Sequence, residues 1–357
     1  MKRMLLLLVF FSISGSLFSQ KEMTDICIGK TFLFDSKILN ESRRIFVSLP
    51  DNYLTAPHSV VYLIASVQND FRTNILHQQF ITIGIESKDT KQDFLKASNR
   101  DNFSLFLEKE LIPYVEANYK TLPVRFLSGH SLSGGFAIDV FLKKNQLFSF
   151  YIATSPTLHV LDSIQIQELK LEKETGLYFN MGGHEQYEQL EKANNNFYNQ
   201  LKVSKVNHLN WKFEKLEGET HETNEYTGFC RGYCYYKSLM AIPDSILGLN
   251  IHEIINYTNN LNASFGSGIT VDDNVIMPNI LISLKAKNYL NLVDAVNYIS
   301  ERLPDLFKEE LNDMIEIGKE LQRNNQSKYA LRVFKIIFDK TGSQIAGEKI
   351  KELEKGK

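Results

Sequence analysis

The chain is poor in cysteine, in tryptophan and in long apolar runs: its 357 residues hold three cysteines and one tryptophan. Three thiols cannot all pair within one chain, so no disulfide framework organises the fold, and at least one thiol stays free unless it bridges to another chain. Cys230 and Cys234 are four residues apart, and on a helix they would stand one turn apart with side chains along the axis. That is awkward bridge geometry, so unbridged cysteines are expected, with the pairing of Cys27 left open. No pair of histidines lies near them, which makes a poor zinc site; no metal and no cofactor is expected. A surplus of positive charge is also missing, since 40 basic face 42 acidic side chains for a formal charge of −2. Nothing in that balance condenses on phosphate or on an anionic bilayer, which argues against nucleic acid as a partner. Past residue 20 no stretch is long and apolar enough to span a membrane.

The first twenty residues are different in kind. Lys2 and Arg3 precede the apolar run from Met4 to Phe11, and small and polar residues follow to Gln20. This order predicts a signal peptide cleaved near Ser19 and hence export to the periplasm or the medium. The cleavage region holds no cysteine, so an attached lipid is not expected.

Beyond it, 43% hydrophobic and 23% charged residues are ordinary for a globular protein. "RRIFVSLP" and "TFLF" alternate as half-buried strands do, whereas "SVVYLIAS" and "FITIGI" are continuous apolar runs of strand length. Strands buried on both faces belong to a parallel sheet covered by helices. A helix is predicted over Phe103 to Tyr119 with Asp101 or Asn102 as its N-cap, then strand "VRFLS", a helix over Gly135 to Lys144, and strand "FSFYIAT". Strand "GLYFNM", a helix over Tyr187 to Val203 and strand "LNWKFEKL" complete an alternating series, which predicts a doubly wound α/β sheet. Strand signals stop near Ser245. The remainder reads as helices broken at Pro304, "NNQS" and "KTGS", with Ala295 and Ala330 35 residues apart, near the period of tetratricopeptide helix pairs. The expected division is a signal peptide at 1–20, an α/β domain at 21–244 and a small helical appendage at 245–357.

Within that frame, "FLSGHSLSGGFAIDV" sets Ser131 where a buried strand turns into a helix. A nucleophile elbow places its serine there, lifted above the sheet on a tight turn that demands small residues two before and two after. Gly129 and Ser133 occupy those positions. The same pattern also suits a turn serine capping a helix. A catalytic serine needs a base and an acid, delivered in this fold in the chain order serine, acid, histidine. Of the histidines after Ser131, His221 in "KLEGETHETNEYTGF" sits on a polar, glycine-containing loop directly after a strand. It is the candidate base. "NMGGHEQYEQ" ends a strand with two glycines and offers Glu185, with Glu188 one helical step further; the residue nearer the strand end is preferred as the acid.

The pieces "SKILNESRRIFVSLPDNY", "VVYLI", "ITIGIES", "FLEKELIPYVEANYKTLPVRFLSGHSLSGGFA", "FSFYIATSPTL" and "LEGETHETN", in that order, resemble the "putative esterase" (esterase D-like) family of α/β-hydrolases. The resemblance covers about Ser36 to Lys237. It implies the α/β-hydrolase fold, a serine esterase, the nucleophile at Ser131, the histidine at His221 and the acid at Glu185. The implied substrate is a small-molecule or glycan-linked ester, such as a carbohydrate-linked or siderophore ester. The oxyanion hole would take the N–H of Leu132 and a second donor from the loop after "VVYLI", where Ser66 or Val67 stands in an altered segment, "ASVQNDFRTN". Two other readings share the fold: an acyltransferase with the same residues, and a weakly catalytic binding protein that uses the helical tail for a protein partner. Phe71, Arg72, Phe229, Arg231, Tyr235 and Tyr236 lie near the candidate site in sequence and could wall a pocket or pack the core.

Overall fold

The computed structural model describes residues 29–54, 56–64, 79–162, 164–265, 271 and 273–355. The expected signal peptide, Cys27, Ser66, Val67, Phe71 and Arg72 lie outside the described residues.

Eight strands form one sheet: β1 (Lys30–Ser36), β2 (Glu41–Ser48), β3 (His58–Ile64), β4 (Phe80–Ile85), β5 (Thr121–His130), β6 (Phe150–Thr154), β7 (Thr175–His184) and β8 (Leu209–Thr220), in spatial order β1-β2-β4-β3-β5-β6-β7-β8. β2 runs antiparallel to both its neighbours, and every other pairing is parallel. Seven strands therefore share one direction, and their C-terminal ends gather along one edge. Open α/β sheets bind ligands at that edge.

The apolar runs explain why both faces are covered. Val60, Tyr62 and Ile64 of β3 point into one core with Tyr151 and Ala153 of β6 and Leu177 and Phe179 of β7. The residues between them, Val61, Leu63, Phe150, Ile152 and Tyr178, enter a second core on the other face. The two-residue period of a strand makes this division inevitable once both faces are buried.

Helices α1 (Thr90–Phe94), α2 (Ala97–Phe106), α3 (Ile112–Asn118), α4 (Ser131–Lys143) and α5 (Glu188–Val203) belong to the α/β region, and α2 runs into α3 through a π-helical turn at Leu107–Leu111. Helix α2 begins earlier than expected, so Asp101 and Asn102 lie inside it and its N-cap is Lys96. Phe103 and Phe106 are fully buried on it, as their spacing predicted. Helix α4 starts at Ser131 itself, four residues before the expected Gly135, because Gly134 and Gly135 continue the helix.

Helix α6 (Asn224–Leu239) packs under β6 and β7 and runs against their direction. Its Gly228 abuts Thr154 and Asn180, Gly232 abuts Ile152 and Tyr178, and the ring of Tyr236 reaches Phe150. Helices α7 (Asp244–Leu247) through α14 follow, without a further strand among the described residues: α8 (Ile251–Phe265), α9 (Asp273–Lys285), α10 (Tyr289–Arg302), α11 (Pro304–Glu309), α12 (Leu311–Arg323), α13 (Ser327–Thr341) and α14 (Gln344–Lys355). They carry their own core, in which Ala295 and Ala330 are fully buried and α10 packs on α13. Helix α8 serves both parts: Ile251 and Ile254 join the helical core, while Leu261 and Phe265 join the core under the sheet. Among the described residues, no helix is long and apolar enough to cross a membrane.

Candidate active site

Ser131, Glu185 and His221 each follow a strand end on the C-terminal edge: after β5, β7 and β8. The chain arrives at the serine in extended conformation at His130 (φ −119°) and turns at Ser131 with φ +55°. A residue with a Cβ avoids that left-handed region unless its surroundings enforce it. Here the enforcement is steric and polar. Gly129 lies so close to the next turn that a Cβ on it would sit 2.3 Å from the carbonyl oxygen of Ser133. The hydroxyl of Ser133 donates to the carbonyl of His130 at 2.8 Å and accepts from the His130 N–H at 3.0 Å. Ser133 thus fastens the turn where glycine would merely fit. On the far side the N–H of Thr157 donates to the Ser131 carbonyl at 3.0 Å, and its hydroxyl lies 3.4 Å from Ser131 Oγ.

The three side chains form a line. His221 Nε2 is 3.0 Å from Ser131 Oγ, and His221 Nδ1 is 2.8 Å from Glu185 Oε2. The Glu185 carboxylate is 1% exposed and the imidazole 11%. The second carboxylate oxygen accepts from the Gly182 N–H at 3.0 Å and from the hydroxyl of Ser155. Burial works against the charge on Glu185, but the bonds from His221, Ser155 and Gly182 outweigh it and hold the carboxyl below its usual range. A carboxylate that stays ionised beside Nδ1 keeps the proton there and leaves the Nε2 lone pair facing Ser131. The imidazole is flanked by the ring of His130, 4.7 Å between centroids, and edge-on by Tyr187 at 5.8 Å.

Glu188, the other carboxylate weighed from sequence, is 78% exposed and pairs with Lys192 at 2.5 Å. Leu132 occupies the first turn of α4, where backbone N–H groups have no partner within the helix and are suited to face an anion. Phe229 and Tyr236 do not wall the candidate site: both are buried in the core under the sheet, on a helix that leads away from the C-terminal edge, and Tyr235 packs there against Phe150 and Tyr178. Cys230 and Cys234 are free thiols on the same helix, and burial pushes the Cys230 thiol up, the reverse of what a nucleophile needs. Among the described residues, no cluster of His, Cys, Asp and Glu could hold a metal ion.

Sequence reasoning missed Ser155, Thr157, Asn180 and Asn224. Ser155 is there because β6 lies between β5 and β7 in the sheet, so the residue that follows it arrives between the serine and the glutamate.

A family model described as "Putative esterase" matches residues 36–230. The chain belongs to the putative esterase family. The ferri-bacillibactin esterase BesA of Bacillus subtilis (strain 168) is 40% identical over 60 residues, a match spanning 16% of this chain and 21% of that one. The chain thus aligns with about a fifth of the length of that curated relative. Among solved structures, an IroE-like serine hydrolase from Shewanella oneidensis superposes with a TM-score of 0.62 at 20% identity, covering 74% of this chain and 96% of its own. An uncharacterised protein from Capnocytophaga ochracea reaches a TM-score of 0.70 at 13% identity over 92% of this chain and 99% of its own, a likeness of fold.

Proposed function

We propose that this chain is an exported serine esterase that hydrolyses a small-molecule ester of the siderophore kind. The observation that carries the reading is the hydrogen-bonded line Ser131–His221–Glu185, with the serine held at φ +55° at the head of a helix. In this mechanism Ser131 Oγ attacks the ester carbonyl while its proton passes to His221 Nε2. The tetrahedral oxyanion is met by the Leu132 N–H, with the second donor assigned to the loop holding Ser66 and Val67. The carbonyl re-forms, the alcohol departs with the proton from His221, and an acyl group remains on Ser131. Water, deprotonated by the same imidazole, then releases the acid and restores the serine. Glu185 keeps the imidazole in the working tautomer and offsets its charge when protonated.

Siderophore esters are favoured as substrates by the local likeness to a ferri-bacillibactin esterase, and export by the twenty leading residues. The test is hydrolysis, by the mature protein, of a ferric siderophore ester beside a p-nitrophenyl ester. Ser131→Ala is expected to lower turnover of both by about 10⁶-fold, since the members of such a unit do not act separately. Cleavage of the p-nitrophenyl ester alone would refute the substrate class, and a fully active Ser131→Ala would refute the mechanism.

A further inference from the structure

The donor to Glu185 that comes from β6 is no isolated contact. Ser155 is fully buried and stands at φ +40°, a left-handed conformation that a serine does not adopt without cause. Its hydroxyl donates to Glu185 and accepts from Asn224 Nδ2 at 2.7 Å. Asn224 and Asn180, both fully buried, exchange two hydrogen bonds of 3.1 Å each between their side-chain amides. Asn180 Nδ2 reaches the Tyr178 hydroxyl at 3.4 Å, and that hydroxyl donates to Glu214 at 2.7 Å. Gly228 stands over this array so closely that a Cβ would fall 2.1 Å from Asn180 Nδ2.

The proton directions along the chain are not free. Both ends are ionised carboxylates, which accept only. Glu185 therefore accepts a hydrogen bond from the Ser155 hydroxyl, Ser155 must accept from an amide nitrogen, and this orients Asn224. From the other end the Tyr178 hydroxyl donates to Glu214, so it accepts from Asn180 Nδ2. The two constraints meet at the amide pair and agree.

We propose that Ser155 and Asn224 are positioning residues of the catalytic site. They aim a hydroxyl proton at Glu185 and leave Oε2 alone to meet His221. The inference rests on the Ser131–His221–Glu185 mechanism. It also explains the backbone: Ser155 is held in a conformation that suits glycine because its hydroxyl is needed there.

Ser155→Gly separates the two roles. Glycine accepts φ +40° freely, so the turn should persist and the chain should fold, with the melting temperature lowered only by the lost hydrogen bonds, whereas loss of the donor destabilises the ionised Glu185 and moves the acid limb of the kcat/KM–pH profile to higher pH. On p-nitrophenyl butyrate, with the full mature chain, kcat should fall about tenfold to hundredfold, as for one hydrogen bond to a charged group, with KM unchanged. Asn224→Ala removes the donor to Ser155 without adding a charge, and should move kcat and the acid limb the same way, which preserves the test if one variant fails to fold. Wild-type kcat, or a lost kcat with the acid limb in place, overturns the proposal. Ser131→Ala measured alongside distinguishes the failures: if it remains active the mechanism itself is wrong, and if it is dead while Ser155→Gly behaves as wild type, only the positioning role is.

Discussion

Replacing Glu185 by glutamine changes one atom type, and the structure says what must follow. Three donors converge on the carboxylate: His221 Nδ1, the Ser155 hydroxyl and the Gly182 N–H. A carboxamide has one oxygen to offer them. If that oxygen keeps Ser155 and Gly182, the NH₂ faces His221 and forces Nδ1 to accept. The imidazole proton then sits on Nε2, pointing at Ser131, and the base has no lone pair for the serine proton. If instead the oxygen keeps His221, two buried donors face an NH₂, which costs about 1–3 kcal/mol for each group left unsatisfied. The first arrangement is cheaper and catalytically wrong. The same carboxylate-to-amide change in other serine-histidine-acid enzymes lowers kcat by about 10⁴, or roughly 5 kcal/mol at 1.36 kcal/mol per decade. A loss of about 10³–10⁴ in kcat on p-nitrophenyl butyrate is therefore expected, with KM within a few-fold. Glu188→Gln is the control: its exposed ion pair with Lys192 is worth little, and its kcat should stay within about twofold of wild type. Equal and mild effects of the two substitutions would refute the tautomer argument.

Two further outcomes follow from packing. Gly129→Ala would thrust a methyl to 2.3 Å from the Ser133 carbonyl oxygen, which is backbone and cannot swing aside; a lowered melting temperature and a loss of hydrolysis larger than the loss of folded protein should both be seen, and an unperturbed variant would mean the elbow is looser than described. Ending the chain at Asp244 removes Leu261 and Phe265 from the core with Phe80, Tyr236 and Met240, at about 1.5–3 kcal/mol per large side chain, whereas ending it at Phe265 keeps them. The longer product should retain hydrolysis within a few-fold and the shorter should melt earlier; the opposite order would show that α8 does not brace the sheet.

The sheet was legible because its strands are two-faced. Runs such as "VVYLI" and "FITIGI" leave no polar side to expose, so their burial and parallel pairing could be read directly. That Ser131, Glu185 and His221 lie close together could be anticipated for a related reason, since each follows a strand end at the C-terminal edge, whereas Glu188 stands three residues further on. What could not be read was anything that depends on two distant segments meeting sideways. Asn180 is an isolated polar residue inside a strand and Asn224 a residue in the first turn of a helix; their pairing exists because α6 lies under β7. Whether Phe229 and Tyr236 wall a pocket or pack the core stayed open for the same reason: nearness to His221 in sequence says nothing about which face of the sheet a helix takes, and both pack the core. The early start of α4 shows a third limit. A glycine pair that reads as a break is tolerated inside a helix when Pro156 and Thr157 crowd the space a side chain would need.

The central claim is that Ser131 is activated by His221 in a site able to hold an oxyanion. A fluorophosphonate probe tests this at once, because its phosphorus yields to an activated serine and its oxygen needs the anion site. Mass spectrometry of the mature protein should find one adduct, on Ser131, lost in His221→Ala. Folded protein that remains unlabelled with excess probe across a range of pH, or labelling that persists without His221, would contradict it.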